Sequence, residues 1–256
     1  MEYILGDLTA ATMVLCLMVA LVAGIVKGMV GFAMPMIMIS GLSSIVGAEW
    51  ALAGLILPTV ATNLWQALRQ GWRQAWDSVT RFRIFLLVGG VALMSSAQLV
   101  TILPASTLLL MIGCPVVLFA LIQLFGVTVR LPNGGSRRAE AGVGAFAGLV
   151  GGVSGIWGPP TVMYLTAINT PKRDQMRIQG VIYGLGAVAL LLAHIGSGVV
   201  RTETVPFSLA LLPPALIGAS LGFRIQDKID QAAFKKATLV VLLVAGANLI
   251  RKGLVG

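Results

Sequence analysis

Six stretches of this chain run for about 20 residues with almost no charge, the length a helix needs to cross a hydrocarbon core about 30 Å thick. They cover 9–26, 48–68, 84–103, 107–129, 178–200 and 205–222, and Glu49, at the edge of the second, is their one charged residue. Inside lipid a backbone must satisfy its own N–H and C=O groups, so such stretches fold as helices. Of the 256 residues, 57% are hydrophobic and 11% charged; a soluble domain carries about 25% charged residues. The expectation is an all-α polytopic membrane protein. The first stretch follows Glu2 and Asp7 and has no basic leader, so it reads as a retained span.

The net charge of +9 sits in loops between apolar stretches. Lipid headgroups and topology account for it, and no nucleic-acid partner is expected. Cys16 and Cys114 lie inside apolar segments and read as small core residues. No metal-ligand spacing, paired carboxylate or nucleotide motif occurs, and Gly24 to Gly31 lacks the Lys-Ser/Thr and the strand of a phosphate loop. Neither an enzyme nor a cofactor is expected.

A duplication organises the chain. Gly24, Gly28, Gly31 and Pro35 recur as Gly148, Gly152, Gly155 and Pro159 at a constant offset of 124 (148 − 24 = 159 − 35 = 124). Each copy continues with a short apolar run, a polar loop and longer apolar spans. This divides the chain into a first transmembrane repeat (1–129), a cytoplasmic linker (130–139) rich in turn residues and cations, and a second transmembrane repeat (140–256). If the short runs 33–46 and 159–168 count as separate segments, each repeat has five and the second copy is inverted. With the N-terminus outside, Arg69, Arg73, Arg81, Arg83, Arg130, Arg137, Arg138, Lys172, Arg173, Arg177, Arg224, Lys228, Lys235 and Lys236 then all face the cytoplasm. Four segments per repeat would split these cations between the two sides. The expected fold is therefore two inverted repeats of about five hydrophobic segments each, with helices broken at the Gly/Pro motifs, an architecture suited to alternating access.

A helix break at membrane depth frees backbone groups, and half-helix N-termini there attract anions. The candidate site is drawn from Gly28, Gly31 and Pro35 in one motif and Gly152, Ser154, Gly155, Trp157 and Pro159 in the other. Lys27 lies at the first break, either snorkelling to the headgroups or contacting an anion. Thr59, Asn63, Gln66 and Gln70, at i, i+4, i+7 and i+11, share one helical face beside Arg69. Gln179, Tyr183 and His194 mark a similar face in the second half, where His194 is a candidate for proton coupling. Polar faces of this kind either line a path or bind a neighbouring helix.

The paired Gly-x-x-x-Gly-x-x-Gly-x-x-x-Pro motif, with Asn63-Leu-Trp-Gln-Ala-Leu-Arg-Gln-Gly71, resembles the sulfite exporter (TauE/SafE) family over the whole chain. That resemblance implies a carrier in a bacterial inner (plasma) membrane for sulfite, sulfoacetate or another small sulfur-containing or organic anion, working without ATP. Lys27 and Trp157 depart from the glycine-rich form of the motif. The function expected is a secondary transporter that exports such an anion by alternating access. An anion channel and a non-transporting membrane scaffold stand as alternatives. The expected partners are a small anionic substrate and membrane lipids, with a homodimer as a further option.

Overall fold

The computed structural model describes residues 9–97, 105–127, 131, 135–154, 158–196 and 200–255. Among them are eleven helices and no strand: α1 Ala10–Val30, α2 Met34–Val46, α3 Ala48–Leu68, α4 Trp72–Arg81, α5 Arg83–Ala97, α6 Ala105–Leu124, α7 Arg137–Ser154, α8 Gly158–Ala167, α9 Lys172–Gly196, α10 Val205–Lys228 and α11 Gln231–Val255. Five are long and apolar enough to cross a membrane: Ala10–Val30, Glu49–Leu68, Lys172–Leu192, Val205–Lys228 and Gln231–Val255. The protein is a multi-pass membrane protein. The last of these spans is the fifth segment that the second repeat requires, and it is missing from the six apolar stretches only because Lys235, Lys236, Arg251 and Lys252 flank an apolar centre that is shorter than the helix. The amphipathic helix α4, rich in Trp and Arg, was not anticipated as a separate element. It bends by 70° into α5.

Two compact units form, and neither follows the linker. One comprises α1, α2 and α3 with the run Met176–Asp230; the other comprises Trp76–Gln175 with α11. Each therefore draws helices from both sides of 130–139.

In the first unit α1 lies along α10 with small residues between them. A Cβ at Gly28 would sit 2.8 Å from the Gly222 Cα, closer than real side chains come, so only glycine permits this approach. Cys16, Ala20, Met34, Met38, Leu55, Phe207 and Leu211 fill the core beside this seam, and Trp50 meets Phe207 edge-on at 5.7 Å. Pro58 interrupts α3. It has no N–H for the Gly54 carbonyl, and the Ser208 hydroxyl on α10 donates to that carbonyl instead, at 3.1 Å.

In the second unit α5 and α7 meet through Gly89, Gly144 and Gly148, and α6 packs antiparallel to α11, with Gly113 against Ile250 and Gly253 against Leu110. Glu140, in the first turn of α7, is buried. Its carboxylate accepts the Phe85 N–H at 3.1 Å, capping the start of α5, and lies 3.6 Å from Arg81. Glu140 stands at a span end, yet its side chain is turned inward.

Candidate functional site

The first glycine motif supplies the geometry around which the site is built. α1 ends at Val30, and Gly31 closes it in the left-handed region at φ 86°, its N–H donating to the Lys27 carbonyl at 2.6 Å. Ala33 follows at φ 74°, a conformation that costs a residue with a Cβ roughly 1 kcal/mol or more. α2 then starts at Met34 with no side-chain cap, and Pro35 in its first turn has no N–H to offer.

Four polar side chains from three helices converge on this turn. Lys27, only 1% exposed, donates from Nζ to Asn63 Oδ1 at 2.5 Å, which is its sole hydrogen-bond partner among the described residues. Gln66, on the same face of α3, donates from Nε2 to the Gly31 carbonyl at 3.2 Å and to the Met176 carbonyl at 2.7 Å. Gln179 on α9 lies against Gly31, where a Cβ on the glycine would collide with the Gln179 side chain, and it is 0% exposed. Neither its Oε1 nor its Nε2 finds a partner among the described residues, and Gln66 Oε1 and Thr59 Oγ1 are likewise unpartnered there. Buried polar atoms are nearly always paired, and Gln66 and Gln179 leave three of them without a partner at this turn, which makes it the candidate site. The absence of a Cβ at Gly180 brings α9 against the α3 backbone at Gln66 and Ala67 and places Gln179 there.

Snorkelling of Lys27 is not observed, since its amine is enclosed and bonded to α3. Tyr183, one turn beyond Gln179, is buried. Gly28 lies one turn before the break, committed to the α10 seam. Arg69 stands apart at the end of α3, ion-paired with Asp227 at 2.8 Å and stacked over Phe223 at 4.2 Å. Next to it, Arg177 donates to Gln70. At the other end of α3, Arg201 pairs with Glu49 at 2.5 Å.

Of the second motif, Gly152 and Ser154 belong to the last turn of α7 and Pro159 is buried in α8. Gly155 and Trp157 lie outside the described residues, as do the side chains of Ser154 and His194. The sequence reading did not single out the Met176 carbonyl, because a backbone acceptor leaves no residue-type signature. Nor did it pair Lys27 with Asn63, 36 residues away.

A family model for the sulfite exporter TauE/SafE matches residues 16–249. The chain belongs to this family. No curated protein and no solved structure gives a significant match. Membership in the TauE/SafE family, a transporter family, together with five membrane-length helices, makes the chain a membrane transporter.

Proposed function

We propose that the chain is a secondary carrier that exports a small sulfur-containing anion, such as sulfite, sulfoacetate or a related sulfonate, across the bacterial inner membrane by alternating access. The family description supports the substrate class. The observation that carries the reading is Lys27. It is a fully enclosed amine whose one partner among the described residues is a neutral amide, in a site that also holds the unpartnered Gln179 carboxamide and an uncapped helix start. A buried cation without a counter-ion is costly, and an anion at this place supplies the missing charge.

Helix directions support the inverted arrangement of 1–129 and 140–256. Element starts recur at the motif offset (158 − 34 = 172 − 48 = 124). α3 runs parallel to α10, with Gly54 near Ser208 and Arg69 near Asp227, and antiparallel to α9, with Gln66 near Met176 and Asn63 near Gly184. α6 runs antiparallel to α11. Five segments per repeat reproduce all three directions. Four per repeat would reverse each of them.

The test is efflux from proteoliposomes loaded with sulfite or sulfoacetate. Wild-type protein should release the anion, and Lys27→Met should slow release about 10- to 100-fold, the loss expected for one charge-assisted contact, while still inserting. Release no faster than from protein-free liposomes would dispose of the carrier.

A further inference from the structure

The orientation of one side chain narrows the ligand class at the Gly31 site. Gln66 Nε2 faces two backbone carbonyl oxygens, those of Gly31 and Met176, and a carbonyl oxygen accepts hydrogen bonds only. The amide therefore has one orientation, and the atom left buried and unpartnered is Oε1, an acceptor. Asn63 Oδ1 is already occupied by Lys27. Gln179 offers a free donor and a free acceptor. The site thus combines one enclosed cation with a donor and with at least one acceptor that no donor among the described residues reaches.

Charge and hydrogen bonding then each exclude something. Lys27 is the only charged side chain among the buried described residues of its unit. It neutralises one negative charge, and a second would remain unpaired in a poorly polarisable surrounding. A ligand made solely of acceptors would set an oxygen against Gln66 Oε1, acceptor against acceptor. A ligand carrying its own O–H turns that contact into a hydrogen bond.

We propose that the Gly31 site takes a sulfur oxyanion with a single negative charge and a hydrogen-bond donor of its own, of the hydrogen sulfite or hydroxysulfonate type, in preference to dianions and to monoanions lacking a donor. This rests on the sulfur-anion reading above and narrows it, favouring hydrogen sulfite and hydroxysulfonates over the sulfoacetate dianion named there.

Two near-isosteric monoanions test it in proteoliposomes of the full-length protein: isethionate, which bears a hydroxyl, and ethanesulfonate, which does not. Sulfate serves as the dianion and sulfite as the reference. Wild-type protein is expected to move isethionate at least about tenfold faster than ethanesulfonate and to leave sulfate behind, because a site that pairs a ligand hydroxyl rejects the analogue without it. Gln66→Met should bring the ratio of the two sulfonates to within about twofold. Should that variant fail to insert, Gln179→Met tests the same ratio, and the wild-type ratio stands by itself. Sulfite flux with a wild-type ratio near one, or with sulfate moved as fast as isethionate, overturns this inference and leaves the carrier intact. Absence of flux for every anion removes the carrier reading and this inference together.

Discussion

At the scale of single residues, the candidate site carries a cost to stability that the proposed anion binding would account for. Gln179 is fully enclosed with both carboxamide atoms unpartnered, an arrangement that costs about 1–3 kcal/mol for each group left unsatisfied. Replacing it by methionine, which has a similar shape and no polar amide, should leave the protein as stable or raise its unfolding temperature in detergent by a few degrees, while anion flux falls. A glutamine that merely tied α9 to its neighbours would behave in the opposite way, losing stability along with flux. The sequence shows Lys27, Asn63, Gln66 and Gln179 as polar residues in apolar surroundings, which is signal enough to nominate them. It does not show which of them pair. Lys27 has a stem long enough to reach the headgroups, and only the tertiary approach of α1 to α3 decides that it turns inward to Asn63. Arg69, nominated on the same grounds, is engaged instead by Asp227 and Phe223, both from α10, whose proximity no local pattern reveals.

At the scale of elements, the helices follow from apolar length, and their ends follow from glycine, proline and charge. Those rules locate α3 and the starts of α1 and α10 closely, because each is one apolar run, although α1 and α10 continue past it to Val30 and Lys228. They fail for α4, whose Trp72, Arg73, Trp76 and Arg81 read as a polar loop until they are set on a helix with one apolar side. They also say nothing of how a defect in one helix is repaired by another. Pro58 leaves the Gly54 carbonyl without its helical donor, and Ser208, from a helix more than a hundred residues later, provides the bond. Ser208→Ala should therefore lower stability by about 1–2 kcal/mol, measured by thermal unfolding in detergent. In a Pro58→Ala background the same change should cost markedly less, since an alanine in place of the proline restores the N–H that the Gly54 carbonyl lacks. Equal costs in the two backgrounds would mean that the Ser208 hydroxyl matters for some reason other than the proline.

At the scale of the whole molecule, the question that matters for transport is whether the short helix α2 is a segment in its own right. If α1 and α2 together make one kinked crossing, the loop before α3 faces the cytoplasm and the arginines around α4 face outward. If each counts separately, the two locations exchange, and the repeats are inverted. With the N-terminus outside, the second half carries no such ambiguity, because Glu203 then faces outward and Lys228 inward under either count. Ser44 and Asp77, both exposed, therefore decide the matter. In a chain with Cys16 and Cys114 replaced by serine, single cysteines at 44, 77, 203 and 228 can be probed in intact cells with a membrane-impermeant thiol reagent. The parallel and antiparallel directions of α3 against α10 and α9 lead to labelling at 44 and 203 from outside, with 77 and 228 reached only after permeabilisation. The positive-inside tendency agrees, since Arg69, Arg73, Arg81 and Arg83 surround position 77. Labelling of 77 and protection of 44 in intact cells would make the halves parallel. An exchange of conformations between opposed repeats would then no longer be available as the means of opening the Gly31 site to each side in turn.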